Sequence, residues 1–377
     1  MHIAGGVYRE LCSVPVWNTL FGSGGRAAAA LSGLTSEVTL YTYLAEEELN
    51  SLKHIENMGV CLNLVTRLCP IAFSYFHPLS TPCIQPERSS LVEHPLIEVV
   101  GDAVLRFGFL EGSAKVQGER VVFDPQTWQN QESYYSNGST AKELAIVLNE
   151  LELLHKGYGN NVHETAQKVL REERASIVIV KQGPVGSTVF EDNGNVSFIP
   201  AYESELVFKL GTGDVFSALF AFYWAKMKLP PVVAADKASR AVSIYSENRL
   251  FSFSQSQLEQ REPLKTRLSR SVCVEGSLDT IGQRYVLEEI KFLLNELGQK
   301  AYCPVLDLDK HIDIRPDVVL VVNDNLTSGQ IRKVNDFCHS GSKIVVLDER
   351  GLGLDIDYNY DKLTTDLTTS IYSTFWV

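Results

Sequence analysis

The sequence predicts an α/β fold built on a largely parallel sheet, followed along the chain by a second, smaller α/β domain. Three observations carry this. Short apolar runs alternate with helical patterns through most of the length, the signature of strands joined by helices. A glycine turn, Gly211-Thr212-Gly213-Asp214, opens an apolar helical run, as at the strand-to-helix turns of α/β proteins. A polar stretch, 255–263, ends in Pro263, after which the strand-and-helix rhythm starts again. The domains expected are 1–262 and 263–377.

Size and composition agree. The chain has 377 residues, more than one hydrophobic core usually organises. Hydrophobic residues make up 45% and charged residues 21%, ordinary for a globular protein. A formal net charge of -12 disfavours nucleic acid and anionic membranes as partners. It does not exclude a nucleotide, because backbone dipoles and a metal ion can gather phosphates. The 7 cysteines form no C-x-x-C pair, which suits reduced thiols and a cytoplasmic setting. Met1 to Gly6 shows no basic region leading into a long apolar run, no stretch has the length of a membrane span, and no solenoid repeat recurs.

In order, Arg26 to Leu31 reads as a helix, rich in alanine, and Glu37 to Tyr41 as a strand. Residues 65–100 hold more Thr, Ser, Phe, His and Pro and read as short antiparallel strands and turns, a lid over a site. From 103 onward the α/β rhythm is expected to return. Val121 to Phe123, ending in Asp124-Pro125-Gln126, and Ala145 to Asn149 read as strands, and His163 to Arg174 as an amphipathic helix. Ser176 to Lys181 is the clearest strand and runs into Gly183-Pro184-Val185-Gly186. In the second domain, Ser271 to Cys273 and on to Glu275, Val318 to Val322 and Lys343 to Leu347 read as strands, and Tyr285 to Leu297 as a helix.

The chemistry centres on Gly211, Thr212, Gly213 and Asp214. Glycines allow a tight turn that exposes backbone N–H groups, and a helix start adds its positive dipole end. The turn is then a cradle for a developing anion. Asp214 at its lip could take a proton from an attacking hydroxyl. This pattern points to phosphoryl transfer without a Walker lysine, since no G-x-x-x-x-G-K-[ST] occurs. The plainer alternative is a loop with a capping aspartate.

Four stretches in order resemble the PfkB family of ribokinase-like sugar and nucleoside kinases, over roughly residues 1–260. Gly22-Ser23-Gly24-Gly25-Arg26 and the alanines after it look like that family's N-terminal glycine motif. Asn149-Glu150-Leu151-Glu152 matches its N-x-x-E. Val180 to Gly186 resembles the strand and turn before its nucleotide site, and Gly211 to Asp214 its G-A-G-D. The resemblance implies a ribokinase-like sheet flanked by helices with a small β lid, ATP as phosphoryl donor, and Mg²⁺. It implies Asp214 as base and an anion hole at Gly211, Thr212 and Gly213. It implies metal organisation by Asn149 and Glu152, with a helix-start carboxylate as the plain alternative for Glu152. Nucleotide binding falls to Lys181, Gly183 and Gly186, and acceptor binding to Glu10, Gly24, Gly25 and Arg26. The partners implied are a sugar- or nucleoside-like small molecule and a nucleotide, with homodimerisation left open.

Departures accompany the matches. Phe208 stands where the family usually has an aspartate six residues before the base. Arg26 stands where an asparagine usually binds a sugar hydroxyl, and an arginine fork suits carboxylate or phosphate better than a neutral sugar. The acceptor pocket is therefore altered or no longer used, unless Arg26 is merely solvated.

The second domain more loosely resembles nucleoside 2-deoxyribosyltransferases and is expected to be flavodoxin-like. Val274 to Leu278 looks like that group's opening strand and turn. Asp324, Thr327, Ser328 and Gln330 form a candidate ligand site in which Gln330 replaces the nucleophilic glutamate. A neutral amide cannot form a glycosyl ester. Three functions compete: a magnesium-dependent kinase, a non-catalytic nucleotide sensor or interaction protein that keeps the kinase fold, and glycosyl transfer or nucleosidase activity from the C-terminal domain.

Overall fold

A computed structural model describes residues 1–127, 131–159, 161–266, 269–307, 315–351 and 359–377. The chain divides into two compact units, Met1–Ser204 with Phe208–Pro263, and Leu264–Val377 with the short Glu205–Val207.

The strands of the first unit are β1 (His2–Ala4), β2 (Arg9–Cys12), β3 (Trp17–Leu20), β4 (Thr39–Ala45), β5 (Cys61–Arg67), β6 (Ala72–Tyr75), β7 (Cys83–Gln85), β8 (Ile97–Phe107), β9 (Ala114–Asp124), β10 (Thr140–Asn149), β11 (Ile177–Lys181), β12 (Gly186–Glu191) and β13 (Val196–Pro200). A large sheet takes the order β13-β12-β11-β10-β9-β8-β1-β4-β5. It is parallel from β5 through β11 and antiparallel at β12 and β13. A smaller sheet, β3-β2-β6-β7, is the lid. In the lid β2 and β6 run parallel, whereas the end of β5, residues 65–67, lies in the stretch expected to form the lid but belongs to the large sheet.

The helices are α1 (Gly22–Ser32), α2 (Leu49–Glu56), α3 (Glu150–Leu154), α4 (Val162–Glu172), α5 (Thr212–Ala221), α6 (Pro231–Asn248) and α7 (Gln255–Glu259). Period-2 alternation sends successive side chains of the central strands to opposite faces. Ala145, Val147, Ile177 and Ile179 join one core with the alanines of α1 and the apolar residues of α5 and α6. Leu144, Ile146, Leu148, Val178 and Val180 join the other, with Leu153, Ala166 and Val169 from α3 and α4.

One part of the sheet departs from the expected rhythm. Among the described residues no helix joins β8 to β9 or β9 to β10. Strands β8 and β9 are each 11 residues long and pair in parallel from Ile97↔Ala114 to Phe107↔Asp124. A straight strand of that length spans ~36 Å, and the loop 108–113 can reach only ~20 Å. Both strands must therefore fold back on themselves. Pairing skips Asp102 and Glu119, beside Gly101 and Gly118, which marks the bend. The N-terminal arms, with Ile97, Val99, Ala114 and Val116, then cover Val104, Val121 and Phe123 in the place a crossover helix would take.

The polar stretch expected to separate the domains is ordered. Ser254 and Gln257 form a capping box for α7, Leu258 is buried, and Arg240 donates to the carbonyl oxygens of Leu258 and Arg261 at 3.0 and 3.1 Å. It belongs to the first unit, which ends at Pro263.

The second unit contains β14 (Ser271–Glu275), α8 (Ile281–Glu296), β15 (Lys300–Tyr302), β16 (Val318–Val322), α9 (Ser328–His339), β17 (Lys343–Leu347), β18 (Lys362–Thr364) and α10 (Leu367–Trp376). Its strands are all parallel in the order β15-β14-β16-β17-β18, the flavodoxin-like arrangement. Residues 308–314, between β15 and β16, and 352–358 lie outside the described set.

Candidate active site

Helix α5 begins because Gly211 adopts the left-handed conformation, φ 76°, at its N-cap. A side chain there would collide with the Arg26 guanidinium as well as strain the backbone. Thr212 N–H donates back to Lys209 O at 3.2 Å, so it is not part of an open anion hole. Helix geometry leaves the N–H groups of Gly213 and Asp214 without intrahelical acceptors.

Asp214 lies in the first turn of α5, its side chain 13% exposed. Its Oδ2 accepts from Arg26 Nη1 at 2.8 Å and its Oδ1 from Gln126 Nε2 at 2.7 Å. Burial raises its carboxyl above the ordinary value, and Arg26 pulls the other way. Arg26 is 1% exposed, which removes the solvated reading. Its two terminal nitrogens donate to the two oxygens of Glu10, and its Nε donates to Tyr245 Oη at 3.1 Å. Tyr245 in turn donates to Leu210 O at 2.9 Å. Burial opposes the charge of Arg26, but Glu10, Tyr245 and Asp214 more than offset it and hold the guanidinium protonated.

A second cluster lies beside the turn. Lys181 Nζ donates to Asp124 Oδ2 at 2.8 Å and lies 3.4 Å from where a Cβ on Gly213 would sit. Ser217 Oγ donates to the same Asp124 oxygen at 2.6 Å, and Oδ1 of Asp124 is buried with no hydrogen-bond partner. Burial opposes the charge of Lys181, but Asp124 and Glu152 more than restore it. Lys209 donates to Thr212 Oγ1 at 3.1 Å, and burial, then Lys181, pull its ammonium down to about 8.

Asn149 and Glu152 form a capping box on α3. Asn149 Oδ1 accepts from Glu152 N at 2.7 Å, and Glu152 Oε2 accepts from Asn149 N at 2.8 Å. Glu152 is thus a helix-start carboxylate, but a buried one. Burial and then Asp124 push it up to about 7. Among the described residues no group of three His, Cys, Asp or Glu side chains is gathered to hold a metal. The donor set fits Mg²⁺ held through water and donor phosphates, with the unpartnered oxygen of Asp124 and the Glu152 carboxylate nearby.

The structure therefore brings Glu10, Arg26, Gly211 and Asp214 together around one cavity of about 610 Å³. Gly24 and Gly25 do not line it. A Cβ on Gly24 would strike Gly5 O, and one on Gly25 would press on Ile55, so both serve close packing of α1. Gly183 and Gly186 shape the turn between β11 and β12, with φ of 57° and 128°. Phe208 is 3% exposed, packed on Trp17 at 4.9 Å with the Arg249 guanidinium 4.4 Å over its ring. Gln126, Asp124, Ser217, Lys209 and Tyr245 are site residues that sequence reasoning did not single out. Only Asp124-Pro125-Gln126, a polar end to an apolar strand, gave a local signal.

In the second unit, Thr327 and Gln330 form a capping box on α9, with Gln330 Nε2 donating to Gly276 O. Asp324 accepts from Gln283 at 3.0 Å and from Arg350 at 2.9 Å, and Ser328 is the first residue of α9.

A nine-stranded, mostly parallel sheet flanked by helices, a small β lid, and a glycine turn carrying an aspartate into a helix define a ribokinase-like unit. One stretch of the chain, residues 110–245, matches the pfkB family carbohydrate kinases. It carries Gln126, Asn149, Glu152, Lys181 and Asp214; Glu10 and Arg26 lie outside it.

Among characterised relatives, 5-dehydro-2-deoxygluconokinase of Bacillus velezensis is 26% identical over 117 residues, 29% of this chain and 35% of that protein. The Listeria innocua protein of the same name is 25% identical over 180 residues, 47% of this chain and 53% of its own length. The matched region thus spans between about a third and a half of these relatives. The ribokinase structure from Thermotoga maritima superposes with a TM-score of 0.50 at 16% identity, covering 68% of this chain and 97% of that one. A Burkholderia thailandensis nucleoside kinase in complex with inosine gives 0.51 at 14% identity, covering 68% and 94%. These two likenesses establish the fold.

Proposed function

We propose that the first unit is a magnesium-dependent phosphotransferase that moves a phosphoryl group from ATP to a hydroxyl of a sugar- or nucleoside-like acceptor. The observation that carries this reading is Asp214 in the first turn of α5, facing the cavity, with Lys181 and Lys209 beside the same turn. In this reading the acceptor oxygen attacks the γ-phosphorus of ATP, the bond to the bridging oxygen breaks and ADP leaves, and the acceptor proton passes to Asp214, whose basicity burial raises. The N–H groups at the start of α5 and the two ammonium groups take up charge on the transferred group. Magnesium, when bound, supplies neutralisation of the donor phosphates, and Asp124 and Glu152 would hold its water shell.

The ion pairs of Arg26 with Glu10 and Asp214 favour a second reading, a nucleotide-binding protein that keeps the fold without turnover. For the second unit, the use of Gln330 in a helix cap supports a non-catalytic module over glycosyl transfer. Incubating the full chain with ATP, Mg²⁺ and a panel of sugars and nucleosides separates these. Acceptor-dependent ADP release supports the kinase; ATP binding without turnover on any acceptor supports the sensor.

A further inference from the structure

The cavity over Asp214 has a floor and a wall of different chemistry. On the floor, Glu10 gives both oxygens to Arg26, and Trp17 Nε1 adds a contact of 3.4 Å to one of them. Asp214 gives one oxygen to Arg26 and the other to Gln126. A polyol meeting these carboxylates finds each of them already holding charge-assisted bonds from Arg26, which makes them weaker acceptors for its hydroxyls. The wall carries the rings of Tyr8, Phe73, Tyr75 and Phe109 together with Ile84, and Arg88 stands among them. Tyr8 is fixed there, its hydroxyl donating to Glu111 at 2.6 Å and its ring 5.3 Å from Phe73.

We propose that Arg26 is the specificity-determining residue of this cavity. It takes up the two carboxylates that would hold a bare polyol, and it leaves recognition to the aromatic wall. The acceptor class that fits carries a flat ring to lie against the wall and a hydroxyl to reach Asp214, as a nucleoside does. Tyr245 and Glu10 lock the guanidinium, so it acts as a fixed part of the floor. The inference rests on reading this cavity as the acceptor site.

The test is calorimetric titration of the full chain, without ATP, with inosine, ribose and myo-inositol. Wild type is expected to bind inosine at least about tenfold more tightly than either bare polyol, the scale of one stacked ring. Phe73→Ala should lose about that factor for inosine and leave ribose unchanged. Arg26→Asn, checked for folding by circular dichroism, should gain affinity for ribose and narrow the ratio. Ribose or myo-inositol binding as tightly as inosine in wild type, no inosine binding at millimolar concentration, or an unchanged ratio in a folded Arg26→Asn protein would each overturn the proposal. If that variant does not fold, the Phe73→Ala ratio decides. Inosine that binds but is never phosphorylated removes the kinase reading and leaves this inference standing. Ribose phosphorylated as readily as a nucleoside does the reverse.

Discussion

Arg26 and Asp214 meet across most of the first unit, Nη1 of one donating to Oδ2 of the other at 2.8 Å, one from the first turns of α1 and one from the start of α5. Gly211 is the residue that permits it, because any side chain there would occupy the guanidinium's place. The pair ties the candidate base to the candidate acceptor carboxylate, Glu10, through one cation.

Asp214→Asn should keep most of these bonds and remove the charge. Acceptor-dependent turnover is expected to fall about 10²-fold or more, the usual cost of losing a general base. ATP affinity, read by calorimetry, should stay near that of wild type. Turnover equal to wild type would take the base role from Asp214.

Glu152→Gln should make the protein more stable at pH 8 and leave it unchanged near pH 4. The carboxyl has a reference value of 4.5 and is pushed up to about 7 in the fold. Below 4.5 both states hold the proton and the group contributes nothing. As pH rises from 4.5 through 7 the unfolded state gains by releasing it first, so stability is lost across that window. An amide escapes the loss, a difference on the order of 3 kcal/mol by denaturant titration. The same variant should weaken the Mg²⁺ dependence of turnover. Identical stability curves at pH 4 and pH 8 would show the carboxylate to be indifferent.

Lys209 should make ATP binding pH-dependent. Its ammonium, lowered to about 8 by burial and by Lys181, is charged below that pH and neutral above it. ATP affinity is therefore expected to fall as pH rises through about 8 in wild type, and to be weaker and flat in Lys209→Met. A wild-type profile that is flat from pH 7 to 9 would remove Lys209 from the donor site.

In the second unit, Thr327→Ala should cost about 1 kcal/mol of stability, the typical worth of an N-cap hydroxyl. The full chain should release no free base from a deoxynucleoside, since the amide of Gln330 is committed to the cap and to Gly276. Release of base, read by chromatography, would point to Asp324.

The parallel sheet was legible because its strands are nearly continuous apolar runs, Ile177 to Val180 above all. The start of α5 was legible because Gly211 and Asp214 carry their meaning locally. The acceptor end was not. Arg26 could be singled out as unusual, but its partners Glu10, Asp214 and Tyr245 are set by the packing of β2, α5 and α6, which no local pattern encodes. The capping roles of Glu152 and Gln330 were open to view as N-x-x-E and T-x-x-Q spacings and were outweighed by motif resemblance. The bends in β8 and β9 escaped because the arms before Gly101 and Gly118 alternate while the arms after them are continuous buried runs, so each half reads as a short strand of its own.

Those bends bear on how the chain reaches its fold. A crossover helix must form, dock and return before its two strands can pair, which closes a long loop early. A strand that doubles back at Gly101 places Val99 and Val104, only a few residues apart, in one core. The middle of the sheet therefore rests on short-range contacts, and such contacts form fast. The segment from β8 to β10 is thus suited to serve as a nucleus onto which β1, β4 and the glycine-turn helix are added later, so that the residues of the candidate active site come together on a platform already in place.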